Sequence, residues 1–398
     1  MQKRTIACLG DGLTGKAVIE KANTLNIEVI QDIHEADLII ASPGIPPSDF
    51  PKTDTQIISE IEWAYRLFQE SASPPTLIAV TGTNGKSTVT AMISHVLDIP
   101  YAGNIGIPLI NYVGLENEFP EIVVEVSSYQ LETCSQFKPN ISLFLNITPD
   151  HIRRHGSLKN YAAQKAKCHE NQTPSDLLIY NEDDPITETI IEDTLAETIP
   201  FSEKEIDHDI QTQCPLPGKH NHLNVLATIK VAQMMGKSKA FVLSQLQHFK
   251  PLRHRLELVG YFNQRHFYND SKSTNPDSTM KAVEAMTLPT HLILCGEDKG
   301  VNINELLLFI QNKTESITVF GDISNAVFTL SQQLNPDFII HVTPTLEEAL
   351  KKAFETSSPG DVILFSPSSS SYDQFNGFED RGDQFCETAS LYYESIPI

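Results

Sequence analysis

Three groups of residues in this chain have the types and spacing that phosphate chemistry needs. The stretch TGTNGKSTVT, residues 81–90, follows the apolar run LIAV, and after its turn Val89, Met92, Ile93, Val96 and Leu97 recur at helical spacing. It reads as strand, glycine-containing turn and helix, with the helix starting near Ser87. At such a helix N-terminus unpaired N–H groups and the helix dipole favour an anion. Gly82, Thr83, Asn84 and Gly85 would cradle a nucleotide phosphate chain, Lys86 would reach its terminal phosphates, and the Ser87 hydroxyl, beside Thr88, would take Mg2+. The general pattern G-x-x-x-x-G-K-[ST] wants glycine where this chain has Val80. A surface turn with a chance Gly-Lys-Ser is the bland alternative, but the strand-turn-helix context favours nucleotide binding.

The second and third groups stand at the ends of other strand-like runs. EIVVEVSSYQLE places Glu125 near the carboxyl end of a valine-rich strand, and ISLFLNITPDHIRRHG places His151 just beyond another. Ligands of open α/β sheets bind at those ends. A carboxylate buried in such a strand is costly unless it pairs or binds a cation, so Glu125 is a candidate Mg2+ ligand, with a structural salt bridge as its alternative. A lone histidine is more often a satisfied hydrogen-bonding residue than a ligand. His151 gains weight only by converging with the other two.

Positioning these groups requires parallel sheets, and the chain supplies the pattern for them. Strand-like runs alternate with helical ones almost throughout, which predicts an α/β protein. At 398 residues two or three domains are expected, and the breaks suggest three. Residues 1–72 form a short Rossmann-like unit, residues 73–251 a P-loop unit with a parallel sheet, and residues 252–398 a Rossmann-like α/β unit. The polar stretch QESASPP separates the first two, and Pro251 marks the second join. In the first unit Gly10, Gly12 and Gly15 follow a strand as G-x-G-x-x-G, with Asp32 at the distance of a ribose-binding acid. Alone that motif is weak evidence for a dinucleotide.

The balance of 29 Lys+Arg against 51 Asp+Glu, a formal charge of -22, repels a nucleic-acid backbone, so any phosphate must be held locally. The chain lacks the basic, aromatic-interleaved stripe of a nucleic-acid motor. Six scattered cysteines with no C-x-x-C pair suit free thiols in a reducing cytoplasm. No apolar run approaches the roughly 18–20 residues of a membrane span. A cytoplasmic monomer is the simplest expectation.

The motifs TGTNGKST, GNIG, EVSSYQLE, NITPDHIRRHGSLKNYAAQKAK, HNHLNVLA, LRHRLE, YNDSKSTNP and SPSSSSYDQFNGFEDRGDQF occur in an order and spacing that resemble the ATP-dependent Mur ligases. The likeness covers nearly the whole chain, and NDSKSTNP with SYDQF…FEDRG points to the branch that joins D-glutamate to UDP-N-acetylmuramoyl-L-alanine in peptidoglycan precursor synthesis. The resemblance implies three α/β domains, for the UDP substrate, for ATP and for the amino acid. It also implies that a substrate carboxylate is activated as an acyl phosphate before the amine attacks. Carried over residue by residue, Lys86, Glu125, His151 and Lys165 form the catalytic group. Ser87 and Glu125 match one Mg2+ site and His151 a second, with Lys165 matching a lysine that the family carbamylates. A solvated helical lysine is the plain alternative for Lys165. Asn224, Arg255 and Asp270 match positions around ATP. Lys272, Thr274, Lys299, Ser371, Tyr372 and Phe378 match the D-glutamate pocket, where Cys295 replaces a family glycine. Leu13, Thr14, Gly44, Asn104 and His151 match the UDP-substrate site, although the stretch after Asp32 is shorter than the family's. Rival readings are a sister ligase adding another amino acid, a folylpolyglutamate-type ligase, and a nucleotide-binding homologue without ligation.

Overall fold

A computed structural model describes residues 4–298 and 303–391. The chain divides into two compact units, Met1–Pro215 with His222–Phe249, and Leu216–Asn221 with Lys250–Ile398.

The first unit holds two sheets. Strands β1 (Thr5–Leu9), β2 (Glu28–Val29), β3 (Leu38–Ala41) and β4 (Ile57–Ser59) pair in parallel in the order β2-β1-β3-β4. The larger sheet comprises β5 (Thr76–Thr81), β6 (Tyr101–Gly103), β7 (Glu121–Glu125), β8 (Ile141–Phe144), β9 (Leu177–Asn181) and β10 (Glu197–Phe201). Its order is β10-β9-β8-β5-β7-β6, all parallel. A central parallel strand is covered on both faces, which is why TLIAVT reads as a nearly continuous apolar run. From β5 the chain leaves to one side for β6 and β7 and returns to the other for β8. The carboxyl end of β5 is therefore the switch point at which open α/β sheets bind ligands.

Residues 1–72 and 73–251 carry separate sheets but share one apolar cluster, which includes Ile6, Val18 and Ile40 as well as Leu77, Ile110 and Val124. The helix Glu60–Gln69 makes the join, burying Trp63, Ala64, Tyr65 and Phe68 in that cluster. Its first-turn acids, Glu60 and Glu62, are buried as well. Glu62 accepts the backbone N–H groups of Ser135, Gln136 and Phe137 and pairs with Arg66 at 2.8 Å. Glu60 accepts from Ile110 N at 2.6 Å.

The second unit is built on β11 (Glu257–Phe262), β12 (Arg265–Asn269), β13 (Thr290–Cys295), β14 (Ser316–Phe320), β15 (Ile340–Val342) and β16 (Val362–Ser368), in the order β11-β12-β16-β13-β14-β15. Only the edge strand β11 is antiparallel. Apolar clusters lie on its two faces, one around Phe267, Phe365 and Phe385, the other around Leu292, Leu306 and Val319. The fold class is the α/β arrangement that the alternating pattern predicts.

Candidate active site

The phosphate loop joins β5 to the helix Lys86–Leu97, which starts one residue before the predicted Ser87. Val89, Met92, Ile93 and Val96 are buried and seat the helix on the sheet. Gly85 precedes it with φ +86°, a left-handed conformation that costs a side-chain-bearing residue about 1–2 kcal/mol. A Cβ there would also lie 2.7 Å from the Asn224 Oδ1, so Asn224 stands against the loop. The loop is braced from the segment after β8. Asn146 accepts from Thr83 N and Asn84 N and donates from Nδ2 to the Asn84 carbonyl, while Thr148 N donates to the Thr83 hydroxyl. Lys86 opens the helix and donates to the Thr83 carbonyl at 2.8 Å. Ser87 follows it, 3 % exposed.

Glu125 ends β7, paired in register with Val80 one residue before the loop strand ends. It is 1 % exposed, and its Oε1 accepts from Asn104 Nδ2 at 2.7 Å. Asn104, matched by resemblance to the UDP-substrate site, thus also orients the carboxylate. Lys165 is 1 % exposed and donates from Nζ to the Gly82 carbonyl at 2.7 Å. The solvated-lysine alternative therefore fails. Burial and then the neighbouring Lys86 cation depress the Lys165 amine well below its usual range, opposed by Asp150 and Glu125.

Tyr161, four residues before Lys165 on the helix Leu158–Ala166, links the loop to His151. Its hydroxyl lies 3.2 Å from the Thr83 hydroxyl, its ring lies 4.8 Å from the Lys165 ammonium, and its centroid is 6.2 Å from that of His151. His151 sits in left-handed backbone, φ +53°, at the start of the short helix Ile152–His155. Neither Asn146 nor Tyr161 was singled out from sequence. Their signal lay in NITPDH and in the i, i+4 pair of NYAAQK, which put them on the faces used.

In the small sheet, Leu13 and Thr14 open the helix Leu13–Thr24, with Leu13 69 % exposed. The Gly44 and Ile45 carbonyls accept from Arg154, which pairs with Glu132 at 2.6 Å. Asp32 accepts from His34 N, closing a local turn.

In the second unit Asp270 is buried just past β12 and accepts from Leu256 N, Ser273 Oγ and Ser366 Oγ. Burial pushes its carboxyl up to about 6, against the pull of those bonds and of Arg255. Lys272 lies 3.7 Å from the Phe378 ring centroid. Ser371 is buried, Tyr372 is 74 % exposed, and Thr274 is half-buried. Lys299 lies outside the described residues. The residue that sequence missed is Arg381, 0 % exposed in the FEDRG segment. It donates to the Ser271 hydroxyl, the Ser271 carbonyl and the Ser369 carbonyl, tying the ends of β12 and β16 together. Cys295 is absorbed beside it, its Sγ 3.8 Å from Arg381 Nη1, and burial pushes the thiol up to about 12. The turn is made by the next residue, Gly296, where a Cβ would collide with the Ser370 carbonyl.

Among the described residues no cluster of three His, Cys, Asp or Glu could hold a metal. A divalent cation here must use a hydroxyl, a single carboxylate and phosphate oxygens, as Mg2+ at nucleotide sites commonly does. The positive-φ loop at a helix N-terminus, Lys86, Ser87 and the buried Glu125 carboxylate fit that pair of ligands.

Residues 80–213 match the family model described as the Mur ligase middle domain, and residues 254–369 that of the Mur ligase, glutamate ligase domain. The UDP-N-acetylmuramoylalanine–D-glutamate ligase of Thermoanaerobacter sp. (strain X514) is 37% identical over 382 residues, covering 88% of this chain and 83% of that protein. The enzyme of the same name from Clostridioides difficile (strain 630) is 34% identical over 387 residues, covering 89% and 84%. Among solved structures, MurF from Acinetobacter baumannii matches with a TM-score of 0.68 at 17% identity, over 97% of this chain and 91% of its own. MurF from Thermotoga maritima in complex with ADP matches at 0.65 and 14% identity, over 99% and 96%. At such identities the structures speak for the fold alone. The two family models cover the phosphate loop and the serine-rich strand end, the curated relatives extend the likeness to most of the chain, and so the chain belongs to the Mur ligase family of ATP-dependent ligases.

Proposed function

We propose that this protein joins D-glutamate to UDP-N-acetylmuramoyl-L-alanine with ATP and Mg2+, in peptidoglycan precursor synthesis. Relatives of that name, similar over most of the chain, support the substrate pair. The observation that carries the chemistry is the burial of Lys165 against the phosphate loop at Gly82, with the Glu125 carboxylate at the neighbouring strand end.

ATP, when bound with Mg2+, supplies the phosphoryl group that turns the substrate carboxylate into an acyl phosphate, from which the incoming amine displaces phosphate to leave an amide. The chain's part is to hold and shield. Loop amides 82–88 and Lys86 fix the phosphates, because two anions approach each other only where fixed positive charge offsets their repulsion. Ser87 and Glu125 would hold one cation and His151 a second. A lysine amine depressed by burial is a nucleophile for CO2, and the carbamate so formed would supply an anionic oxygen where an ammonium cannot ligate. The family resemblance assigns Asn224 of the first unit, and Arg255 and Asp270 of the second, to ATP. Lys272, Thr274, Lys299, Ser371, Tyr372 and Phe378 receive the two carboxylates of D-glutamate, and Leu13, Thr14, Gly44 and Asn104 receive the UDP end. The division into residues 1–72, 73–251 and 252–398 follows these three tasks. No helix among the described residues is long and apolar enough to cross a membrane.

The test is ADP release with Mg-ATP and the UDP substrate, with D-glutamate, L-glutamate, L-alanine and meso-diaminopimelate added separately. D-glutamate alone should stimulate release. Stimulation by another amino acid would move the protein to a sister activity.

A further inference from the structure

Tyr129 follows Glu125 by four residues and occupies a junction the reaction chemistry leaves unexplained. Its hydroxyl lies 2.8 Å from His151 Nδ1, and the two rings are tilted at 54° with centroids 4.8 Å apart. The Arg154 guanidinium sits 4.0 Å over the Tyr129 ring, and Arg154 itself is held by Glu132 through Nε at 3.0 Å and Nη2 at 2.6 Å. The ring is thus clamped, and the hydroxyl has a fixed aim. On the far side of the imidazole, Nε2 faces Asp150 Oδ2 at 3.5 Å, longer than a good hydrogen bond.

We propose that Tyr129 is a positioning residue that sets the tautomer of His151, accepting the Nδ1–H so that the Nε2 lone pair, beside the Asp150 carboxylate, faces a divalent cation. This rests on the reading of His151 as a cation ligand. A ligating imidazole donates its other N–H to a fixed acceptor, which selects the tautomer and raises the basicity of the ligating nitrogen. A neutral imidazole with its proton on Nε2 could not ligate through that nitrogen, and here Nδ1 is taken by the Tyr129 hydroxyl. With the proton on Nδ1, Nε2 and the Asp150 carboxylate, 3.5 Å apart, are positioned to ligate one cation together. Arg154 serves the same end by holding the ring, and it carries the Gly44–Ile45 loop with it.

The experiment is a Mn2+ titration by electron paramagnetic resonance in the presence of ADP, on the full chain, for wild type, His151→Ala and Tyr129→Phe. Phenylalanine keeps the ring beneath Arg154 and removes only the hydroxyl. His151→Ala should weaken one class of Mn2+ site, and Tyr129→Phe should weaken that same class by about tenfold to a hundredfold. Nitrogen-15 spectra of the metal-free wild type should find the His151 proton on Nδ1, moving toward Nε2 in Tyr129→Phe. Unchanged Mn2+ affinity in Tyr129→Phe, with loss in His151→Ala, would overturn the proposal and leave His151 a ligand. Unchanged affinity in both variants would remove His151 from the cation site and the proposal with it. A wild-type proton on Nε2 contradicts the tautomer assignment whatever the variants do.

Discussion

Lys165 reaches from the helix Leu158–Ala166 to the carbonyl of Gly82, the first glycine of the phosphate loop, at 2.7 Å and with 1 % of its surface exposed. An ammonium taken so far from water costs several kcal/mol unless its surroundings compensate it. One carbonyl, the Tyr161 ring at 4.8 Å and the fields of Asp150 and Glu125 offset that cost, and Lys86 opposes them. The proposed carbamate makes Lys165 necessary to the reaction. Lys165→Ala should lose ligase activity by at least a hundredfold, and a small added carboxylate should restore part of it. A variant that is fully active without rescue would remove the carbamate from the account.

Lys86 folds back onto the Thr83 carbonyl, within the loop proposed to hold phosphate. Lys86→Ala should abolish turnover while circular dichroism stays that of the wild type, because the side chain is only half-buried. Near-normal turnover would sink the phosphate-positioning role.

Arg381 offers a planar fork to the Ser271 hydroxyl, the Ser271 carbonyl and the Ser369 carbonyl, which a lysine cannot reproduce. Arg381→Lys should loosen the strand ends that carry Lys272 and Ser371. The expected result is a KM for D-glutamate raised by roughly tenfold, equivalent to about one lost hydrogen bond, with the KM for ATP little changed. Equal increases in both would mean a general loss of structure.

Much of the site was legible because its signals are local. The phosphate loop announces itself by glycines, a lysine and a hydroxyl at the junction of two periodicities, and Glu125 by being a charge in a valine run. What stayed hidden depends on tertiary contacts. LKNYAAQKA has the polar look of a solvated helix, and nothing in it reveals that Lys165 faces Gly82. Arg381 sits among Glu379, Asp380 and Asp383, where charge pattern alone suggests a surface. Glu60 and Glu62 likewise read as ordinary first-turn acids of a helix. The covered face of that helix also explains why residues 1–72, set apart in sequence by QESASPP, share a core with the next segment.

Glu62 gives that join a measurable strength. With its carboxylate removed, three backbone N–H groups at 135–137, that of the buried Phe137 among them, and the Arg66 guanidinium lose an acceptor. Glu62→Ala should destabilise the first unit by about 3–5 kcal/mol, read as a lower urea midpoint. A midpoint within a few tenths of a kcal/mol of wild type would mean that water replaces the acceptor.

Glu60 makes the same join sensitive to pH. Burial pushes its carboxyl up to about 7 from the ordinary 4.5, against the bonds from Ile110 and Leu109. Between those values the folded state binds a proton that the unfolded chain has released, so stability falls as pH rises through the window and is lowest above it. The shift corresponds to roughly 3 kcal/mol. Glu60→Gln keeps the acceptor and removes the charge. It should stabilise the protein at pH 8 and be nearly neutral at pH 5 in urea unfolding. An equal effect at both values would show that Glu60 does not titrate there.

The central claim is amide formation driven by ATP, and the mass of the product tests it most directly. Purified protein with Mg-ATP, UDP-N-acetylmuramoyl-L-alanine and D-glutamate should yield the mass of the glutamyl amide together with one ADP per product, and omission of any one substrate should abolish both. ADP release without amide, or no product although ATP binds, would contradict the account and leave a nucleotide-binding protein on a ligase fold.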